Sequence, residues 1–438
     1  MMSQRSDQFW TCRVGTNPPG VRGRTDGRPR ARRIRLGATF VALVTASLWG
    51  PAGRAADPGD WLGFRGDGTS AAEVGPAELS LEEGGNLAWR RELSGRSVAG
   101  PVVVGPLVVS TASGGQDGEV LYVTGVDLES GEVKWEQTFR ATGRPYCHPT
   151  SANAAPSPVS DGERIFAFFS SNDLICLSPE GDLLWYRGLG FDYPKAGNDV
   201  GMASSPVVAE GAVIVQVESQ GDSFAAGIDA RTGENLWRIE RPRQANWASP
   251  VVIRRPDEST EVVLQSGRDL IAVDPRSGLV KWDLDEPRAT IPSSTPAGEL
   301  LLVPGNDLMA LAVGRSAASP EVVWRNNRLS PRNASVVAAG DRIYSLKGSV
   351  LVCGDADSGD VHWQHRLSGV GGTWATPVVA QGRIYLFDQA GQGLVVEDRG
   401  DRAETTSEVD LEDKVLASPA LVGGRLLVRG ERNLFCFR

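Results

Sequence analysis

Asp127-Leu128-Glu129-Ser130-Gly131-Glu132-Val133-Lys134-Trp135 recurs as Asp229 to Trp237, Asp274 to Trp282 and Asp355 to Trp363. In each copy Gly follows the Asp by four residues and Trp follows it by eight. The register fits a β-hairpin turn: the Asp side chain accepts from the turn's own N–H groups, and Gly takes the left-handed position that ends it. Trp185 and Trp324 belong to looser copies, and a seventh copy, around Glu397 to Asp410, has lost its Trp. Upstream of each turn lies a second recurring element: a small residue, Pro, two apolar residues, a Gly turn and a β-branched run. It begins at Gly100-Pro101, Ser157-Pro158, Ser205-Pro206, Ser249-Pro250, Thr295-Pro296, Thr376-Pro377 and Ser418-Pro419, with a Pro-less copy at Ala334-Ser335-Val336-Val337.

Eight units of about 45 residues, each of four short strands, are the sequence signature of a β-propeller. Pro at the head of a unit suits an innermost strand, a sheet edge where a missing N–H costs no ladder bond. The indoles Trp89, Trp135, Trp185, Trp237, Trp282, Trp324 and Trp363 are expected to fill the wedges between blades. The eighth unit runs out after the strand Asn433 to Phe437, without a Trp strand, and Asn86-Leu87-Ala88-Trp89-Arg90 has the pattern it lacks. The expected fold is therefore all-β, an eight-bladed propeller of four-stranded antiparallel blades closed by pairing of N- and C-terminal strands. Residues 86–438 form the propeller, 57–85 an N-terminal extension and 1–56 a basic leader with a secretory signal.

The leader rests on Arg30, Arg32, Arg33 and Arg35 before the apolar run Leu36 to Trp49, then Gly53, Ala55 and Ala56. A basic flank, a short apolar core and small residues make a signal peptide, so a periplasmic or secreted protein is expected. Membrane association is expected only if the leader stays uncleaved. Of the net charge of −9, residues 1–56 carry ten Arg and two Asp, +8, which leaves −17 for the remainder. So acidic a body is repelled by phosphate backbones, which argues against nucleic acid as partner.

The repeat resembles the PQQ-like propeller repeat, shared by quinoprotein dehydrogenases and the outer-membrane assembly lipoprotein BamB. Secreted bacterial members of that group are similar at Trp61-Leu62-Gly63-Phe64-Arg65-Gly66 and from His148-Pro149 to Gly162. The resemblance implies the propeller fold and, in the dehydrogenases, pyrroloquinoline quinone (PQQ) with calcium. Two departures matter: the adjacent Cys pair of the quinoprotein alcohol dehydrogenases is missing, and so is the lipobox Cys of BamB.

Loops entering the innermost strands gather at one mouth of the axial channel. His148, Asn153, Asn198, Asp199, Trp247, Arg332, Asn333 and Trp374 are therefore the candidate ligand-binding residues, with two indoles to hold a flat ring or a sugar. Cys176, Cys353 and Cys436 share one repeat position and read as buried small residues rather than disulfide partners. Asp355 to Asp360 mimics a calcium loop, but the hairpin turn accounts for it. No catalytic or metal-binding constellation emerges. The expectation is a monomeric, exported, non-catalytic scaffold that binds a protein or cell-envelope component. The alternatives are a PQQ-dependent oxidoreductase or a carbohydrate-binding propeller using the channel mouth.

Overall fold

The structure, a computed structural model, describes residues 59–197, 200–314 and 319–438. The leader and signal segment, Asn198 and Asp199 lie outside the described residues. Eight antiparallel sheets succeed one another along the chain. Blade one runs through Val102–Val104, Leu107–Gly114, Val120–Asp127 and Val133–Arg140. Blades two to seven repeat that order. Blade eight takes three strands from the chain's end, Ala420–Val422, Arg425–Arg429 and Asn433–Phe437, and its outer strand from Leu87–Glu92. Trp89 pairs with Cys436 and Arg90 with Phe435, so the ring closes as expected.

Burial follows from this stacking. The middle strands are covered on both faces by neighbouring blades and read as continuous apolar runs. Leu300–Pro304 and Leu308–Ala312 are buried at every position. Outer strands meet water on one face, and in Ala403–Asp410 buried or half-buried residues alternate with exposed ones.

The Asp-Gly turns form as read. Asp355 accepts from the N–H groups of Asp357 at 3.0 Å and Ser358 at 2.8 Å, and Gly359 sits at φ +73°. The same pattern recurs at Asp127, Asp229 and Asp274.

Five of the turns receive the indole of the preceding blade. Trp89, Trp135, Trp185, Trp237 and Trp324 donate Nε1–H to Leu128, Pro179, Ala230, Pro275 and Ala356 carbonyls at 2.8–3.1 Å. Their rings lie flush on the turn glycine: a Cβ at Gly131 would stand 2.5 Å from Trp89, and one at Gly233 2.8 Å from Trp185. Glycine is required there twice over, for positive φ and for the approach of the ring. On its own sheet each indole faces a small residue, among them Gly125, Cys176, Gly227, Cys353 and Cys436. That is why three cysteines share one repeat position; all three thiols are free and buried.

Three seams depart from the pattern, the first where Trp363 donates to the Asp398 carboxylate of blade seven, at 3.0 Å, instead of a backbone carbonyl. Trp282 bonds Glu261 of its own blade at 2.8 Å. At the blade-seven position opposite Val395, where other blades carry Trp, stands Ser407. Its hydroxyl accepts from Leu79 N–H at 3.0 Å and donates to Leu79 C=O at 3.2 Å, and Leu79, buried, packs into the seam. The segment before the first blade thus supplies from the backbone what the lost indole would have filled.

That segment also crosses the axis. Trp61 exchanges two backbone bonds with Val103 of blade one, and Leu62 C=O accepts from Ser160 of blade two. Arg65 donates to Ser294 and Thr295 of blade five, Thr69 accepts from Ala338 of blade six, and Ala71–Ala72 runs parallel to the inner strand of blade seven. Twelve residues, 61–72, therefore tie together the inner edges of five blades and plug the channel. Sequence reading gave residues 57–85 no such part.

Candidate functional site

On the mouth side of this plug the inner strands begin, and there a belt of hydroxyls rings the axis. The N–H of Gly100 donates to Ser157 Oγ at 3.0 Å, Ser157 to Ser205 at 3.0 Å, Ser205 to Ser249 at 2.9 Å and Ser249 to Ser293 at 2.9 Å. The belt continues from Ser293 to Ser335 at 3.0 Å, Ser335 to Thr376 at 3.0 Å and Thr376 to Ser418 at 2.9 Å. Each link joins one blade to the next. The belt stops at Gly100, where a Cβ would meet the Ser418 carbonyl at 2.5 Å. In blade five the belt residue is Ser293, two positions before the expected Thr295, because Thr295 pairs with Leu302 just as Val207 pairs with Ile214 in blade three.

The belt encircles a cavity of 420 Å³. Phe64 from the plug lines it at the inner end, and Trp247, Trp374, His148 and Asn333 line it toward the loops, with alkyl groups such as Val98 and Ile291 between. The Arg65 guanidinium lies 5.1 Å from the Phe64 ring centre. Arg65 is buried, and burial pushes the pKa of its guanidinium down to about 10. Its Nε finds no partner.

Four of the sequence-derived candidates, His148, Trp247, Asn333 and Trp374, thus share one cavity wall. Trp247 is fixed by its Nε1 bond to Gly201 C=O at 2.8 Å, and Trp374 stands 42% exposed. The His148 ring is held by the Thr150 hydroxyl at 2.7 Å. Asn153 lies elsewhere: it is buried, and its amide bridges Gly118 C=O and Ser171 N–H at 3.0 and 2.8 Å. Arg332 lines a separate surface groove with Asn306 and Lys347. Asn198 and Asp199 fall outside the described residues, although Val200, next to them, lines the cavity. Phe64 and the belt hydroxyls went unnoticed as lining, the first because its segment occurs once, the second because Ser before Pro reads as turn chemistry.

Other suspected chemistry resolves into structure. His362 and His365 have separate partners, Asp355 at 3.9 Å and Thr405 at 3.1 Å. No cluster of three or more potential metal ligands occurs among the described residues. Burial pushes the thiols of Cys176, Cys353 and Cys436 up to about 12.

Eight blades, indoles docked on glycine turns and a plugged axis define a β-propeller of the PQQ-like repeat class. The chain belongs to the family described as "Outer membrane protein assembly factor BamB", whose model matches residues 45–226, 195–294 and 310–433. No curated protein matches the sequence. Among solved structures it is similar to BamB from Moraxella catarrhalis, at TM-score 0.59 and 15% identity over 80% of this chain and 97% of that one. It is also similar to a europium-containing methanol dehydrogenase, at TM-score 0.64 and 12% identity over 85% and 90% of the two chains. The quinohemoprotein alcohol dehydrogenase from Comamonas testosteroni matches at TM-score 0.63 and 13% identity, over 86% and 80%. At such identities the likeness is one of fold.

Proposed function

We propose that the protein is an exported, non-catalytic propeller that holds a protein partner of the cell envelope on its outer rim. The observation that carries this is apolar surface where the sheets end. Leu279 and Val280 on blade four are 63% and 44% exposed, and Val322 and Val323 on blade five are 44% and 46% exposed. Val280, Val322 and Val323 sit on outer strands, whose free edges carry backbone groups without a ladder partner, and Leu279 immediately precedes one. Apolar side chains beside an open edge suit a partner that buries them. Export is supported by the basic and apolar leader, and an envelope setting by a family described through outer-membrane protein assembly.

Quinone catalysis fits the channel poorly. PQQ carries three carboxylates, and its calcium needs anionic oxygen ligands. The described lining offers hydroxyl, indole, imidazole, amide and alkyl groups, with neither a Lys or Arg nor a carboxylate among them.

Cross-linked capture from envelope extract tests the rim. Wild type should retain a discrete partner that Leu279→Asp/Val322→Asp loses at unchanged melting temperature. Equal capture by both proteins would overturn the assignment.

A further inference from the structure

We propose that the axial cavity binds an uncharged carbohydrate of one or two pyranose rings. The site is independent of the rim. It is closed on one side by Phe64, and its 420 Å³ falls within the range of small-molecule sites. Three features select the ligand.

The first is the hydroxyl belt. Each of its seven oxygens accepts one backbone N–H from the neighbouring blade and so keeps a proton to donate and a second lone pair. A ring of groups that both donate and accept matches sugar hydroxyls, which do the same. An apolar ligand would leave the belt unmatched, at a cost for each buried polar group.

The second is the pair of indoles. Trp247 on blade four is pinned by Gly201, and Trp374 on blade seven is 42% exposed at the mouth. Broad apolar ring faces suit the C–H faces of a pyranose. The third is charge. Among the described lining residues His148, tied to Thr150, is the single ionisable side chain, so a charged ligand would be desolvated without a counter-ion.

Titration of the full chain with maltose, cellobiose and N,N′-diacetylchitobiose, followed by tryptophan fluorescence and calorimetry, tests the proposal. At least one sugar should bind saturably. Trp374→Ala, which removes an exposed ring, should weaken it about tenfold. Ser249→Ala/Ser335→Ala should weaken it as well, while Leu279→Asp leaves it unchanged. The proposal fails if no sugar binds up to about 50 mM, or if Trp374→Ala and the serine variant bind as wild type. It fails equally if PQQ or an anilinonaphthalene sulfonate displaces the sugars or binds where they do not. Retention of the envelope partner by Trp374→Ala separates this outcome from that of the rim.

Discussion

Replacing Gly131 by Ala tests how the closing seam is held. Gly131 stands at φ +68°, where an L side chain costs about 1 kcal/mol. Its new Cβ would also lie 2.5 Å from Cδ2 of Trp89, and forcing a methyl into a packed contact costs about 1–3 kcal/mol. Gly131→Ala should therefore lose about 2–4 kcal/mol. Trp89, 9% exposed and bonded through Nε1 to Leu128, buries on the order of 200 Å². Trp89→Ala should lose about 3–5 kcal/mol. The double variant has the backbone strain but no ring to collide with, so it should lose about 1–3 kcal/mol less than the sum of the two. Urea unfolding of the four proteins at one pH measures the cycle. Additivity within about 0.5 kcal/mol, the behaviour of independent sites, would refute direct docking of the indole on the turn.

At the seam that lacks a Trp, Leu79→Ala should destabilise by about 2–4 kcal/mol in the same assay, like any well-buried leucine. Gly100→Ser, which would complete the hydroxyl belt on paper, should instead lower the melting temperature, because its Cβ meets the Ser418 carbonyl; a stabilised variant would contradict the geometry. Backbone N–H donation from Ser130 and Ser358 holds the Asp127 and Asp355 carboxyls below their usual range. Asp229 and Asp274 are also lowered, their turn hydrogen bonds outweighing the opposing effect of burial. Depressed folded values mean stabilisation that is present above the unfolded carboxylate pKa of about 4 and lost as pH falls through the folded values. Urea midpoints should drop below about pH 4, less steeply when the four Asp are changed to Asn, which still accepts the turn N–H groups. Cys176, Cys353 and Cys436 should resist a thiol reagent at pH 8 in the native protein and react in urea, as mass mapping would read.

The parts of this molecule visible in its sequence are the parts that repeat. Eight repeat units, most of them ending in one hairpin pattern, reveal blade number, seam indoles and the pairing of Trp89 with the final strand, since each position is constrained by the same local physics. The plug occurs once, and its backbone bonds to Val103, Ser160 and Ala338 require no particular side chain, so composition carries no trace of it. Ser407 shows the same limit: the missing Trp was evident, but not the leucine 328 positions away that compensates for it. Within the site, proximity to a Pro turn found Trp247 and Trp374 because their loops enter at the mouth. The same rule chose Asn153, whose amide turns instead to Gly118 and Ser171. Proline at Pro296 misplaced one register by two residues, because sheet pairing, not proline, sets where a strand starts.

Blade eight has a consequence for how the chain matures. Asn86 and Arg438, which meet at 3.0 Å, are separated by 352 positions, so all the intervening blades must be synthesised before the strand Leu87–Glu92 finds its mate. Until then the sheet edges at either end of a growing arc stay sticky. Nascent molecules that meet in this interval can exchange strands, which makes slow synthesis at high copy number the condition under which the protein should clump.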